Sequence, residues 1–97
     1  MTSNPSKDRG RVVHCKKEKF DVYIGRPGYF GNPFVLHREQ DRESVVHRYE
    51  LYARKRMIED IEFEKKIKDL YGKTLGCYCA PRLCHGDILL KIAEELQ

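Results

Sequence analysis

Ninety-seven residues leave room for one domain, which would bury only about 60–65% of the surface its unfolded chain exposes; a multidomain enzyme with its own cofactor domain is excluded. Charged residues make up 35% of the chain, yet six Tyr and four Phe among regular Leu, Ile and Val exclude disorder, and no apolar run nears the roughly 18 residues of a membrane span. The net charge of +4 lies entirely in residues 1–26, because residues 27–97 hold equal numbers of basic and acidic side chains.

In chain order, residues 1–11 are polar and read as a flexible basic leader, followed by one α/β domain over residues 12–97. The basic arm fits attraction to phosphate or nucleic acid, and equally a solvated tail. Val12–Cys15 and Phe20–Ile24 read as two short strands, the second with Phe20, Val22 and Ile24 on one face. Residues 25–34 hold three Gly and two Pro, so nothing regular forms there. Helical spacing of Val45, Val46, Tyr49, Tyr52, Ala53 and Met57 predicts a helix over 42–57, with Asp41 as N-cap. A second helix runs from about Asp60 to Tyr71, with Gly72 as C-cap. Lys73–Cys79 reads as a third strand, and His85–Leu96 as a last helix with Ile88, Leu89, Ile92, Ala93 and Leu96 inward. The expected fold is α/β: a small three-stranded mixed sheet, ordered β-β-α-α-β-α and flanked by helices, with strands two and three parallel. Ligands of such sheets bind at the carboxyl ends of the strands, where the Gly/Pro loop and the Cys/His loop would face one crevice.

Three of the four cysteines fall between Cys77 and Cys84, and no apolar leader suggests secretion. Reduced thiols in a cytoplasmic protein fit better than disulfides. Two functional readings of this segment stand side by side with plain packing of small buried residues. Cys77, Cys79, Cys84 and His85 place four soft ligands within nine residues, as a zinc site would need, although the spacing lacks a C-x2-C knuckle. Alternatively Cys84 at a helix start gains a depressed pKa, Gly86 lets an anion approach the backbone, and Asp87 orients His85 or a substrate hydroxyl. Cys84, His85 and Asp87 would then be the catalytic set.

In the first loop Gly25, Gly28 and Gly31 permit positive φ and close ligand approach. Arg26, directly after a strand, suits a phosphate, and Asn32 suits a sugar hydroxyl or base edge. Tyr29 and Phe30 offer base-stacking surfaces; the alternative is a structural loop whose Phe30 and Phe34 plug the core.

The strings Asp21-Val-Tyr-Ile-Gly-Arg-Pro, Gly31-Asn-Pro-Phe, Leu75-Gly-Cys-Tyr-Cys-Ala-Pro and Cys84-His-Gly-Asp-Ile-Leu, in this order, resemble the phage and bacterial family called domain of unknown function 4326. The resemblance spans roughly residues 12–96; Tyr78 departs from it, where Trp is common. It implies that Ile24, Gly25, Arg26, Pro27, Gly31, Asn32, Pro33, Phe34, Cys77, Cys79, Pro81, Cys84 and His85 matter, and names no activity. A fainter likeness of the Cys-His ending to a nucleotide-binding-like α/β family favours a nucleotide or nucleic-acid ligand by analogy. The expected function is binding, with or without processing, of a phosphate-bearing ligand through Gly25, Arg26, Asn32 and Gly86. The rival is a zinc-stabilised module, for instance a phage protein acting on a host partner.

Overall fold

The computed structural model describes residues 9–97. Residues 1–8 of the expected leader lie outside the described residues. Its last three residues are not a tail: Gly72 donates its amide to the Arg9 carbonyl at 2.9 Å, and Arg11 opens a strand.

Three strands, β1 (Arg11–His14), β2 (Val22–Tyr23) and β3 (Thr74–Cys77), meet three helices, α1 (Arg42–Glu59), α2 (Ile61–Lys68) and α3 (His85–Glu95). A single 3-10 turn, Glu39–Asp41, leads into α1. The strand order is β1-β3-β2, and both outer strands run parallel to β3. The α/β class and the parallel pairing of strands two and three hold. The sheet is parallel throughout, however, and not mixed, because β3 enters between β1 and β2 and keeps them apart.

Residues 15–21 must therefore return from one end of the sheet to the other. Cys15 donates to the Cys77 carbonyl at 2.9 Å, and Asp21 donates to the Thr74 carbonyl at 2.8 Å. Such parallel connections usually take a dozen or more residues, often a helix. Here Gly76 makes the short path possible: a Cβ on it would stand 2.6 Å from Phe20 Cγ. Phe20 fills that space and so lies on the face of Tyr23, ring centroids 6.3 Å apart, rather than with Val22 and Ile24 as simple alternation predicts.

The opposite face carries the core. Val12, Val22, Ile24 and Leu75 from the sheet pack with Tyr49, Ala53, Phe63, Ile67, Leu89, Ile92 and Ala93 from the helices. Helix α3 comes closest at Gly86, where a Cβ would meet Ile24 Cδ1 at 2.7 Å and Val12 Cγ2 at 2.9 Å. Close helix–strand packing is what this glycine permits.

Two expected caps differ. Asp41 precedes α1 but gives its carboxylate to Arg38 at 3.1 Å and makes no cap bond. Gly72 lies past the end of α2, at φ +83°. Asp60 caps α2, accepting from the Glu62 and Phe63 amides at 3.0 and 3.3 Å. No helix of the described residues is long and apolar enough to cross a membrane.

Candidate ligand-binding site

The carboxyl ends of β2 and β3 release the two unusual loops side by side. After β2 the chain folds through two tight turns, with Gly28 donating to Gly25 at 2.8 Å and Gly31 donating to Gly28 at 3.0 Å. None of these three glycines has a positive φ. Gly25 is bare for another reason: a Cβ there would collide with the Tyr23 hydroxyl, which donates to the Arg26 carbonyl at 3.0 Å. After β3 the chain passes through Ala80-Pro81-Arg82-Leu83 into α3. Arg42, the first residue of α1, anchors this second loop by donating to the Leu83 carbonyl at 3.0 Å while Glu39 grips its other nitrogens at 2.6 and 2.9 Å.

Between the loops lies a cavity of about 260 Å³. Gly25, Arg26, Asn32, Cys77, Cys79, Cys84 and His85 all line it. Seven of the residues singled out from sequence are thus brought together. Gly86 and Asp87 are not among them. The space beside Gly86 is occupied by Ile24 and Val12, and its amide donates to Cys84 Sγ at 3.2 Å. Asp87 turns back to accept from the Cys84 amide at 3.0 Å, closing a capping box instead of orienting His85. Asp87→Ala should therefore lower unfolding free energy by about 1 kcal/mol, read from the urea midpoint, while leaving the cavity residues in place.

Tyr29 and Phe30 also stand elsewhere. Phe30 is buried, Tyr29 packs against it and Phe63, and the Arg56 guanidinium lies 5.0 Å from the Tyr29 ring. The aromatic walls are instead Tyr23, Phe34 and Tyr78, with Leu36, Val45 and Val46 beside them. Phe34, expected in the core, lies against Tyr52 with the Arg48 guanidinium 4.7 Å from its ring.

The polar groups have distinct roles. Asn32 spends its carbonyl oxygen on the Phe34 amide at 2.8 Å, which leaves the side-chain NH2 as a donor toward the cavity. Arg26 is exposed at the rim and makes no ion pair among the described residues. His85 donates from Nε2 to the Ile24 carbonyl at 2.7 Å, and its ring meets Tyr49 edge-on at 4.9 Å. His85 also lines the cavity, and no hydrogen bond to its Nδ1 is present among the described residues.

Burial holds the His85 imidazole below its ordinary value of 6.5, against the opposing hydrogen bond to Ile24. Unfolded chains take up a proton near that pH which the folded chain refuses. The contribution of this group to stability is complete above 6.5 and falls as the pH drops below it. Urea midpoints at pH 7.5 and 5.5 should differ in that direction, and by less in His85→Gln.

The three thiols form one cluster. Cys77 Sγ and Cys84 Sγ are 3.3 Å apart, and all four cysteines of the chain are free. The neighbouring Cys77 and Cys84 thiols and the Arg42 guanidinium lower the Cys79 pKa from the ordinary thiol value. Cys84 is pushed up instead, by the neighbouring thiols and by its burial. The helix start is expected to depress the Cys84 pKa; the neighbouring thiols and burial outweigh it. Arg42 was missed from sequence. Its one signal was a cation in the first turn of a helix, where the dipole disfavours it. Among the described residues, no group of three or more His, Cys, Asp or Glu is arranged to hold a metal ion. His85, the proposed fourth zinc ligand, has its Nε2 committed to the Ile24 carbonyl.

A second hollow of about 420 Å³ lies by the start of β1, lined by Arg9, Gly10, Arg11, Val12, Asp87, Leu90 and Glu94. Its charges are already matched: Arg9 lies 3.9 Å from Glu94 and donates to the Asp87 carbonyl at 3.3 Å, and Arg11 pairs with Glu18 at 3.1 Å.

Comparison with known proteins gives two matches. The family model described as "Domain of unknown function (DUF4326)" matches residues 9–95. An "Uncharacterized 12.4 kDa protein in nrdA-td intergenic region" of Enterobacteria phage T4 is 38% identical over 89 residues, covering 89% of this chain and 79% of that protein. No solved structure gives a significant match.

Proposed function

The chain belongs to the DUF4326 family, and from that premise we propose that it binds a small phosphate-bearing ligand, a nucleotide, in the cleft above β2 and β3. The observation that carries this reading is the unpaired Arg26 at the rim of a cavity whose other walls are largely aromatic and aliphatic. A cation without a carboxylate, next to low-dielectric walls, attracts an anion, and a guanidinium fork matches phosphate oxygens. Tyr23, Phe34 and Tyr78 give a base flat surfaces. The Asn32 amide is a donor for a sugar hydroxyl or a base acceptor. At about 260 Å³ the cavity lies just below the roughly 300–1,000 Å³ of small-ligand sites, so a mononucleotide suits it better than a polymer. His85 as base and a thiol of the cleft, Cys84 or Cys79, as nucleophile are the groups that would process the ligand.

The basic arm is the weaker route to nucleic acid, since Arg9 and Arg11 are already paired with Glu94 and Glu18. A cytoplasmic setting, which keeps thiols reduced, suits the four free cysteines.

Calorimetric titration of the native protein with inorganic phosphate, nucleoside mono-, di- and triphosphates and a short oligonucleotide tests the reading. A nucleotide should bind, with affinity falling as salt rises. Absence of binding by every phosphate compound at millimolar concentration would overturn it. About one zinc per chain with shielded thiols, measured on the same sample, would favour the zinc module instead.

A further inference from the structure

The helices cover one face of the sheet; the other carries a row of rings. Phe20, Tyr23 and Tyr78 follow one another with centroids 6.3 and 6.3 Å apart, and His14, at the end of β1, stands edge-on to Tyr78 at 5.7 Å. Phe20 and Tyr78 are 38% and 53% exposed, and Tyr23 and His14 are half-buried. None of the four belongs to the core cluster, so core packing does not account for the row. Tyr23 is held in place by the bond from its hydroxyl to the Arg26 carbonyl. The chain between His14 and Phe20 carries Lys16, Lys17 and Lys19, all exposed and without an ion pair among the described residues. The two carboxylates of the same stretch are already engaged: Glu18 pairs with Arg11 at 3.1 Å, and Asp21 accepts from the Thr74 amide at 2.8 Å. Rings beside unmatched cations fit a chain of bases and phosphates. An acidic peptide would use the lysines and not the rings, and a duplex would hide the faces of its bases.

We propose that this face binds single-stranded nucleic acid, with bases stacked on Tyr78, Tyr23, Phe20 and His14 and phosphates against Lys16, Lys17 and Lys19. Stacking on aromatic side chains tolerates any base, because every base has a flat face, so the site reads single-strandedness more than sequence. Tyr23 and Tyr78 also wall the cleft, whereas Phe20, His14 and the three lysines lie outside it. The row therefore goes beyond the nucleotide reading: it takes a strand whether or not the cavity is filled.

The test is fluorescence anisotropy of the full chain with labelled oligo-dT and oligo-U of about ten nucleotides, within the roughly 4–16 that comparable single-strand sites span. At least one should bind, more tightly than a duplex of the same length, and the tighter of the two names the natural strand as DNA or RNA. Replacing Lys16, Lys17 and Lys19 together by Gln should weaken binding about tenfold or more. The slope of log affinity against log salt should flatten by about 2, at about 0.7 per phosphate contact on a single strand. Tyr78→Leu should weaken binding about fivefold or more, and Tyr78→Phe should retain it. Ultraviolet cross-linking in the unaltered chain does not depend on how any variant folds, and should attach the strand to the peptides that hold Phe20, Tyr23 or Tyr78. No binding of either oligonucleotide, equal binding of duplex, full affinity in the lysine variant, or cross-links only to other peptides would overturn the proposal. A mononucleotide that binds the unaltered chain and the lysine variant alike, beside an oligonucleotide that binds no more tightly, would remove the row and keep the cleft. Lysine-dependent strand binding without mononucleotide binding would do the reverse.

Discussion

Phe63→Ala should lower unfolding free energy by about 3–5 kcal/mol, the usual cost of emptying a buried aromatic site. A small domain holds only about 5–15 kcal/mol in total, so this one change removes a large share of it. Phe63 is fully buried on α2, a helix of eight residues. Isolated helices that short do not persist in water, so α2 holds its place through the side chains it buries. Phe63 is chief among them: the Phe30 ring lies 6.1 Å away, the Tyr29 ring 5.9 Å, and the Arg56 guanidinium 4.0 Å from its ring. Phe30 is also tied to α1, since Tyr49 donates its hydroxyl to the Phe30 carbonyl at 3.0 Å. Loosening α2 therefore loosens the loop that carries Arg26 and Asn32. Urea denaturation measures the effect, and Phe63→Leu should cost distinctly less. A loss below about 1 kcal/mol would mean that the site collapses easily and that the aromatic cluster does not brace the loop.

Arg26→Ala should weaken nucleotide binding about 10- to 100-fold with little change in stability. Hydrogen bonds to charged groups contribute about 1.5–3 kcal/mol, and each 1.4 kcal/mol is tenfold in affinity. The side chain is exposed and unpaired, so removing it from the free protein breaks no ion pair among the described residues. Surface changes of that kind usually stay within about 0.5 kcal/mol. Arg26→Lys should recover only part of the affinity, because an ammonium keeps the charge and loses the fork. Calorimetry gives the affinities and the urea midpoint gives the stability. Equal affinity in wild type and Arg26→Ala would remove Arg26 from the site.

Much of this architecture was readable from local patterns. The apolar spacing from Val45 to Met57 marks α1, and the two Gly, Pro and Cys-rich loops mark the ends of β2 and β3 where the cavity forms. What local patterns do not encode is which strands are neighbours. Val12–Cys15 and Phe20–Ile24 look like partners because a short turn separates them, yet β3, more than fifty residues on, lies between. Gly76 was the available hint, a residue without a side chain in mid-strand, where another group crosses closely. The environment of Cys84 was hidden for the same reason. A helix start argues for a depressed Cys84 pKa, but burial and the neighbouring thiols, set by tertiary contacts, push it up. Asp87 shows the converse: its place three residues after Cys84 is a capping spacing, and a local reading of it would have been right.

Backbone amide NMR of the full chain, titrated with the nucleotide that binds best in calorimetry, tests the central claim most directly. Shifts are expected to concentrate at Gly25, Arg26, Asn32, Tyr78, Cys79 and His85, and to be absent in Arg26→Ala. Shifts confined to the hollow around Arg9, Gly10 and Glu94, or to the chain before it, would contradict a site at the carboxyl ends of β2 and β3.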